Sequence, residues 1–110
     1  MEIIRRIKIL KNRSEFAYKE YLKNKKYYQA KRIYNANTEL IDLLKEFQFI
    51  CDDNILVDLY KYIFHLEDWF LQFEKLEEEV GYLDEDFGFI RLEHSFQFPS
   101  EFFNKLNEFL

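Results

Sequence analysis

Counting from Ile55, the apolar positions Ile55, Leu59, Tyr62, Leu66, Trp69, Phe73, Leu76 and Val80 are separated alternately by four and three residues. Such spacing, held over almost four heptads, keeps one side of a 3.6-residue helix apolar, whereas a strand would need a period of two. Asp52-Asp53-Asn54 supplies capping side chains before the run, and Gly81 follows it as a C-terminal cap. A helix over about 54–80 is therefore expected, and one so long and amphipathic must bury its seam against other elements.

The same spacing organises the start of the chain. Ile3, Ile7, Leu10, Ser14, Ala17, Tyr21, Asn24 and Tyr28 form a seam interrupted only by Ser14 and Asn24, which predicts a helix over about 2–33. Asn12 followed by Glu15 resembles a capping box and leaves a break near 12–14 open. Asn35, Asn37 and Thr38 offer cap atoms ahead of Leu40, Ile41, Leu43, Leu44 and Phe47, so a second helix is expected at about 38–50. Ser100 would cap a last helix at about 100–110, with Phe102, Phe103, Leu106, Phe109 and Leu110 turned inward. Between them Ile90, Leu92, His94, Phe96 and Phe98 alternate with polar residues and Pro99 ends the run, which is strand periodicity. A strand needs a partner, and the Ile-rich residues 2–10 are the available one; the other solution is a short helix over 85–96 using Phe87, Ile90 and His94.

Composition supports the helical solution. Two glycines and one proline in 110 residues are too few for the turns of an all-β protein. The fold class expected is thus all-α, a small bundle of three to four helices (about 2–33, 38–50, 54–80, 100–110) with an irregular or strand-like segment near 87–98. The alternative is an α+β fold with a small terminal sheet. Length and hydrophobic content suit a single domain over 1–110. Cys51 is the only cysteine, so no intramolecular disulfide can form. The first ten residues have no apolar run of signal-peptide length, and no run free of charged residues exceeds seven, far short of the ~20 that span a bilayer. A cytoplasmic protein that does not enter a membrane is expected.

Charge is segregated along the chain. Residues 1–32 hold eleven Lys or Arg against three acids, and the remainder holds five bases against eighteen acids. The basic stretch mixes Lys23, Lys25, Lys26, Lys31 and Arg32 with Tyr27, Tyr28 and Tyr34, residue types that grip phosphates and stack on bases. Cations near a helix C-terminus and tyrosines at seam spacing also have a purely structural use. Catalysis has no comparable support. His65, His94 and Cys51 fall in no nucleophile elbow, HExxH or CxxC arrangement, and Asp84 to Gly88 departs from the calcium-loop spacing. No enzyme, cofactor or metal site is expected.

Glu74, Glu77, Glu78 and Glu79 occupy the last turns of the predicted third helix, and Asp84, Glu85 and Asp86 extend the run. Carboxylates there oppose the negative end of the helix dipole, and Glu74 repels Glu78 one turn on. Could the basic segment neutralise them? A second helix of 38–50 is only about 20 Å long, whereas the third would be about 40 Å, so residues 74–86 should overshoot the turn at 34–37. Lys19 to Arg32 would then lie beside Asp58, Glu67 and Asp68. An overhang of this kind leaves a homodimer open. It also leads to the functional expectation: a small acidic inhibitor of the immunity-protein or antitoxin kind, binding a basic toxin, nuclease or other nucleic-acid-binding protein. Its contact residues would be Glu74, Glu77, Glu78, Glu79, Tyr82, Asp84, Glu85 and Asp86, with Trp69, Phe73 and Phe87 as aromatic anchors. The alternatives are a nucleic-acid-binding or regulatory module using Lys23, Lys25, Lys26, Lys31 and Arg32, or a structural homo-oligomer.

Overall fold

A computed structural model describes residues 2–80 and 100–107, which form four helices: α1 Glu2–Lys23, α2 Tyr27–Phe47, α3 Asp53–Val80 and α4 Ser100–Asn107. The chain is an all-α helical bundle, with no strand among the described residues. The terminal-sheet alternative fails at residues 2–10, which lie in α1 with Ile4 and Ile7 buried three residues apart on one face. The segment near 87–98, with its alternative helix over 85–96, lies outside the described residues.

Two boundaries differ from the sequence expectation. The first helix ends at Lys23, ten residues early, and the second begins at Tyr27 rather than 38. The turn consists of Asn24, Lys25 and Lys26, without glycine or proline. The amide of Asn24 still donates to the Glu20 and Tyr21 carbonyls, then Lys26 N–H donates to Asn24 O at 2.8 Å and reverses the chain. Lys26 is the extended N-cap residue of α2, with φ −101° and ψ 156° and no side-chain cap bond. The residues read as caps at 35–38 sit mid-helix instead. Thr38 Oγ1 donates back to the Tyr34 carbonyl at 2.8 Å, the usual bond of an interior helical threonine. Ser14 Oγ donates to Asn37 Oδ1 at 2.6 Å, which satisfies a side chain buried between α1 and α2. That same bond accounts for Ser14 interrupting the apolar seam of α1, which runs unbroken through 12–14.

With the turn at 24–26, α1 and α2 form an antiparallel hairpin of nearly equal arms, and α3 runs antiparallel to α2. The core divides into two parts along the bundle. At the end where α2 turns into α3, Ile4 and Ile7 of α1, Leu40, Ile41, Leu43, Leu44 and Phe47 of α2, and Ile55, Leu59, Tyr62, Ile63 and Leu66 of α3 surround Phe102, Phe103 and Leu106 of α4. Toward the α1–α2 turn the described residues belong to α1, α2 and α3, and aromatic rings fill the space between them. Ala17, Tyr21, Ala30, Ile33 and Phe73 are buried there, with Tyr18, Tyr27, Tyr34, Trp69 and Leu76 packed around them. The Tyr34 ring lies 4.8 Å from that of Phe73, and Trp69 stacks on Phe73 at 5.4 Å. Small Ala17 and Ala30 allow the hairpin arms to approach closely enough for these rings to close over them.

The corrected hairpin also changes the length arithmetic. A 21-residue α2 spans about 31 Å, so it accompanies α3 for most of the latter's about 42 Å. Tyr27, at the start of α2, reaches Glu77: its hydroxyl donates to Glu77 Oε2 at 2.5 Å. The basic turn is therefore level with the acidic end of α3, not displaced toward Asp58, Glu67 and Asp68. Asp58 belongs to the other end, where Lys105 of α4 donates to it at 2.6 Å and to the Asn54 carbonyl at 3.2 Å.

Candidate protein-binding surface

The seam of α3 turns Ile55, Leu59, Tyr62, Leu66 and Phe73 inward, and this fixes what its last turns present outward. Glu74, Glu78 and Glu79 are exposed, while Glu77 is half-buried under the Tyr27 hydroxyl. Three carboxylates thus project from the C-terminal turns, where the unsatisfied backbone carbonyls already carry partial negative charge. The expected aromatic anchors are corrected. Phe73 is fully buried in the three-helix core, and Trp69 is half-buried against Tyr34, Phe70 and Phe73. Both rings sit on the seam, so burial claims them first. Tyr82, Asp84, Glu85, Asp86 and Phe87 lie outside the described residues.

Lys25 and Lys26 form the turn facing this acidic end. Among the described residues the ion pairs join Lys11 to Glu15, Arg13 to Glu39, Lys23 to Glu20 and Lys105 to Asp58. None of these involves Lys25, Lys26, Glu74, Glu78 or Glu79. The two charge poles are neighbours without direct pairing. The other cations of the basic stretch are engaged within the chain. Lys31 Nζ lies 4.1 Å from the Tyr34 ring centre and 5.7 Å from that of Phe73, a cation–π contact that covers the aromatic core. Arg32 donates to Gln29 Oε1 at 3.1 Å and lies over the Tyr28 ring, and Lys23 donates to Glu20. A phosphate backbone would have to displace these contacts.

Sequence spacing alone missed a further feature. The outer face of α3 carries Val57, Tyr60, Phe64 and Leu71, which remain 61, 41, 63 and 65% exposed. A second apolar line at positions 57, 60, 64 and 71 was readable beside the seam, but its polar neighbours Lys61, Glu67 and Asp68 concealed it. The back of the α1–α2 hairpin has an open groove of about 630 Å³, floored by Ala17 and Ala36 and bordered by Arg13, Phe16, Arg32 and Glu39. Its charges are already answered by the Arg13–Glu39 pair and the Arg32–Gln29 bond.

The titratable groups fit packing roles. His65 is half-buried beside the Tyr62 ring, and desolvation lowers its pKa below 6.5 although Asp68 pulls the other way. Burial raises the Cys51 thiol above its ordinary value, aided by Asp52 and Asp53, which disfavours the reactive thiolate. Among the described residues no group of three or more His, Cys, Asp or Glu side chains could hold a metal ion, and no helix is long and apolar enough to cross a membrane. No protein-family model, no curated protein and no solved structure matches this chain.

Proposed function

We propose that this protein is an acidic protein-binding inhibitor of the immunity-protein or antitoxin kind, whose α3 terminus occupies the basic nucleic-acid-binding groove of its partner. The observation that carries the proposal is the exposed triplet Glu74, Glu78 and Glu79 at a helix end that local electrostatics disfavours. Charges placed against the dipole cost a few tenths of a kcal/mol each, a cost that a cationic partner would reverse. A single-sign cluster of this kind steers a basic protein into encounter and accelerates capture. With Phe73 buried and Trp69 half-buried, the reading rests on the exposed carboxylates and not on those two rings.

The test is affinity purification of the tagged chain from the cells that produce it, with the Glu74→Lys/Glu78→Lys/Glu79→Lys variant in parallel. The proposal expects a stoichiometric partner of high isoelectric point, lost with the triple variant, whose nuclease or nucleic-acid-binding activity is titrated to zero by the purified wild-type chain. A partner retained by the charge-reversed chain, or one whose activity toward nucleic acid is unaffected, would rule the proposal out.

A further inference from the structure

The outer face of α3 is self-complementary in shape and charge. Seven residues make two helical turns, so Val57, Phe64 and Leu71 stack in one line. Tyr60 and Glu67 flank that line on one side, Lys61 and Asp68 on the other, and all seven are exposed. A two-fold axis through Phe64 would set a second α3 antiparallel to the first. Val57 would then meet the partner's Leu71, and Phe64 the partner's Phe64. On the flanks Lys61 would meet the partner's Asp68, and Tyr60 the partner's Glu67. At the rim Asp53, exposed in the first turn, would meet the partner's Lys75. Every charge opposite another in this register has the opposite sign.

From this complementarity we infer that the outer face of α3 is the interface of an antiparallel homodimer, closed on the two-fold axis at Phe64. A two-fold interface requires the same patch to match itself, a condition that a chance apolar stripe has no reason to meet. The parallel arrangement sets opposite flanks against each other and brings Asp68 beside the partner's Glu67, and it aligns the helix dipoles; the antiparallel one avoids both. Four large side chains per copy place the contact near the lower limit of specific interfaces, about 1,000 Å² in all, so the dimer dissociates on dilution. Glu78 and Glu79 take no part in it. The inference is thus independent of the inhibitor reading, and either can fail alone.

Sedimentation of the full chain over a dilution series tests the pairing. The wild type should approach twice its 13.7 kDa mass at high concentration and fall to the monomer on dilution. Phe64→Glu should remain monomeric throughout with unchanged helical circular dichroism, since Phe64 contributes nothing to the monomer core. Lys61→Glu should weaken dimerisation about five- to thirty-fold, and Lys61→Glu/Asp68→Lys should restore it. Register is read by disulfide trapping in a Cys51→Ser background: Phe64→Cys should cross-link with itself, whereas Val57→Cys should cross-link only when mixed with Leu71→Cys. A wild type that stays monomeric at high concentration, a Phe64→Glu chain that still dimerises, or self-linking of Val57→Cys would overturn the inference.

Discussion

Replacing Phe102 by Ala tests how the short α4 is held. Its eight residues attach to the bundle through three buried side chains, Phe102, Phe103 and Leu106, and through the Lys105 clamp on Asp58. Phe102 is fully buried, with ring centres of Phe103, Tyr62 and Phe47 at 5.1, 5.5 and 6.5 Å. Burying a phenylalanine contributes about 1.5–3 kcal/mol of transfer free energy, and the cavity left by truncation raises the usual cost to about 3–5 kcal/mol. The upper half of that range applies if Tyr62 and Phe47 cannot collapse into the space, because both are fixed by their own helices. Against a typical domain stability of about 5–15 kcal/mol this is a large fraction. Urea unfolding should show the midpoint falling by that amount, and hydrogen exchange should show protection lost first in α4 and in the facing turns of α3 around Tyr62. Phe16→Ala is the matched control, since the same ring is 65% exposed and its removal should cost no more than about 0.5 kcal/mol. Equal effects of the two substitutions, or a Phe102→Ala cost below about 1 kcal/mol, would refute the assignment of α4 as a packed part of the core.

Three smaller perturbations follow from single contacts. Lys105→Met should cost about 1–2 kcal/mol in thermal or urea unfolding, less than a fully buried pair because Lys105 is partly exposed, and the loss should shrink at high salt. Ser14→Ala leaves the buried Asn37 Oδ1 without its donor and should cost about 1–3 kcal/mol, while Ser14→Ala/Asn37→Leu should recover much of it in a double-mutant cycle. His65 has a lowered folded pKa, so the unfolded chain takes up its proton first as pH falls. Stability should be unaffected by His65 above about pH 6.5 and decline below it toward the folded value, a slope that His65→Gln should remove from a pH series of melting curves.

How much of this was legible in the sequence differs from element to element. The α3 seam predicts its helix almost to the residue, because Ile55, Leu59, Tyr62, Leu66 and Phe73 all bury on one face and nothing interrupts the period. The α1–α2 turn was not legible. Lys-Asn-Lys-Lys has no glycine, proline or strong cap, while Asn35, Asn37 and Thr38 look like one. A clean four-three run did exist at Ala30, Ile33, Asn37, Leu40, Leu44 and Phe47, all buried. Reading it required accepting a buried asparagine, which only its bond to Ser14 on the facing helix makes acceptable. Of the candidate surface, the seam of α3 accounts for the exposure of Glu74, Glu78 and Glu79, while the expected overhang of this helix end beyond the basic turn is overturned by the Tyr27–Glu77 contact. Trp69 and Phe73 pack inward, because sequence proximity to an acidic run says nothing about which ring the core takes.

The sequence by itself determined the helical class, the path of α3 and the segregation of charge, all properties set by the local period of apolar residues and by the order of charges along the chain. The tertiary structure alone decided where the chain reverses, that the basic turn stands level with the acidic helix end, and that a second apolar line on α3 is left uncovered. Those three depend on which helix faces meet. Local propensity is nearly indifferent to a turn at 24–26 or at 34–37, and the choice falls to long-range contacts: Ser14 with Asn37, Tyr27 with Glu77, and the aromatic rings closed over Ala17 and Ala30.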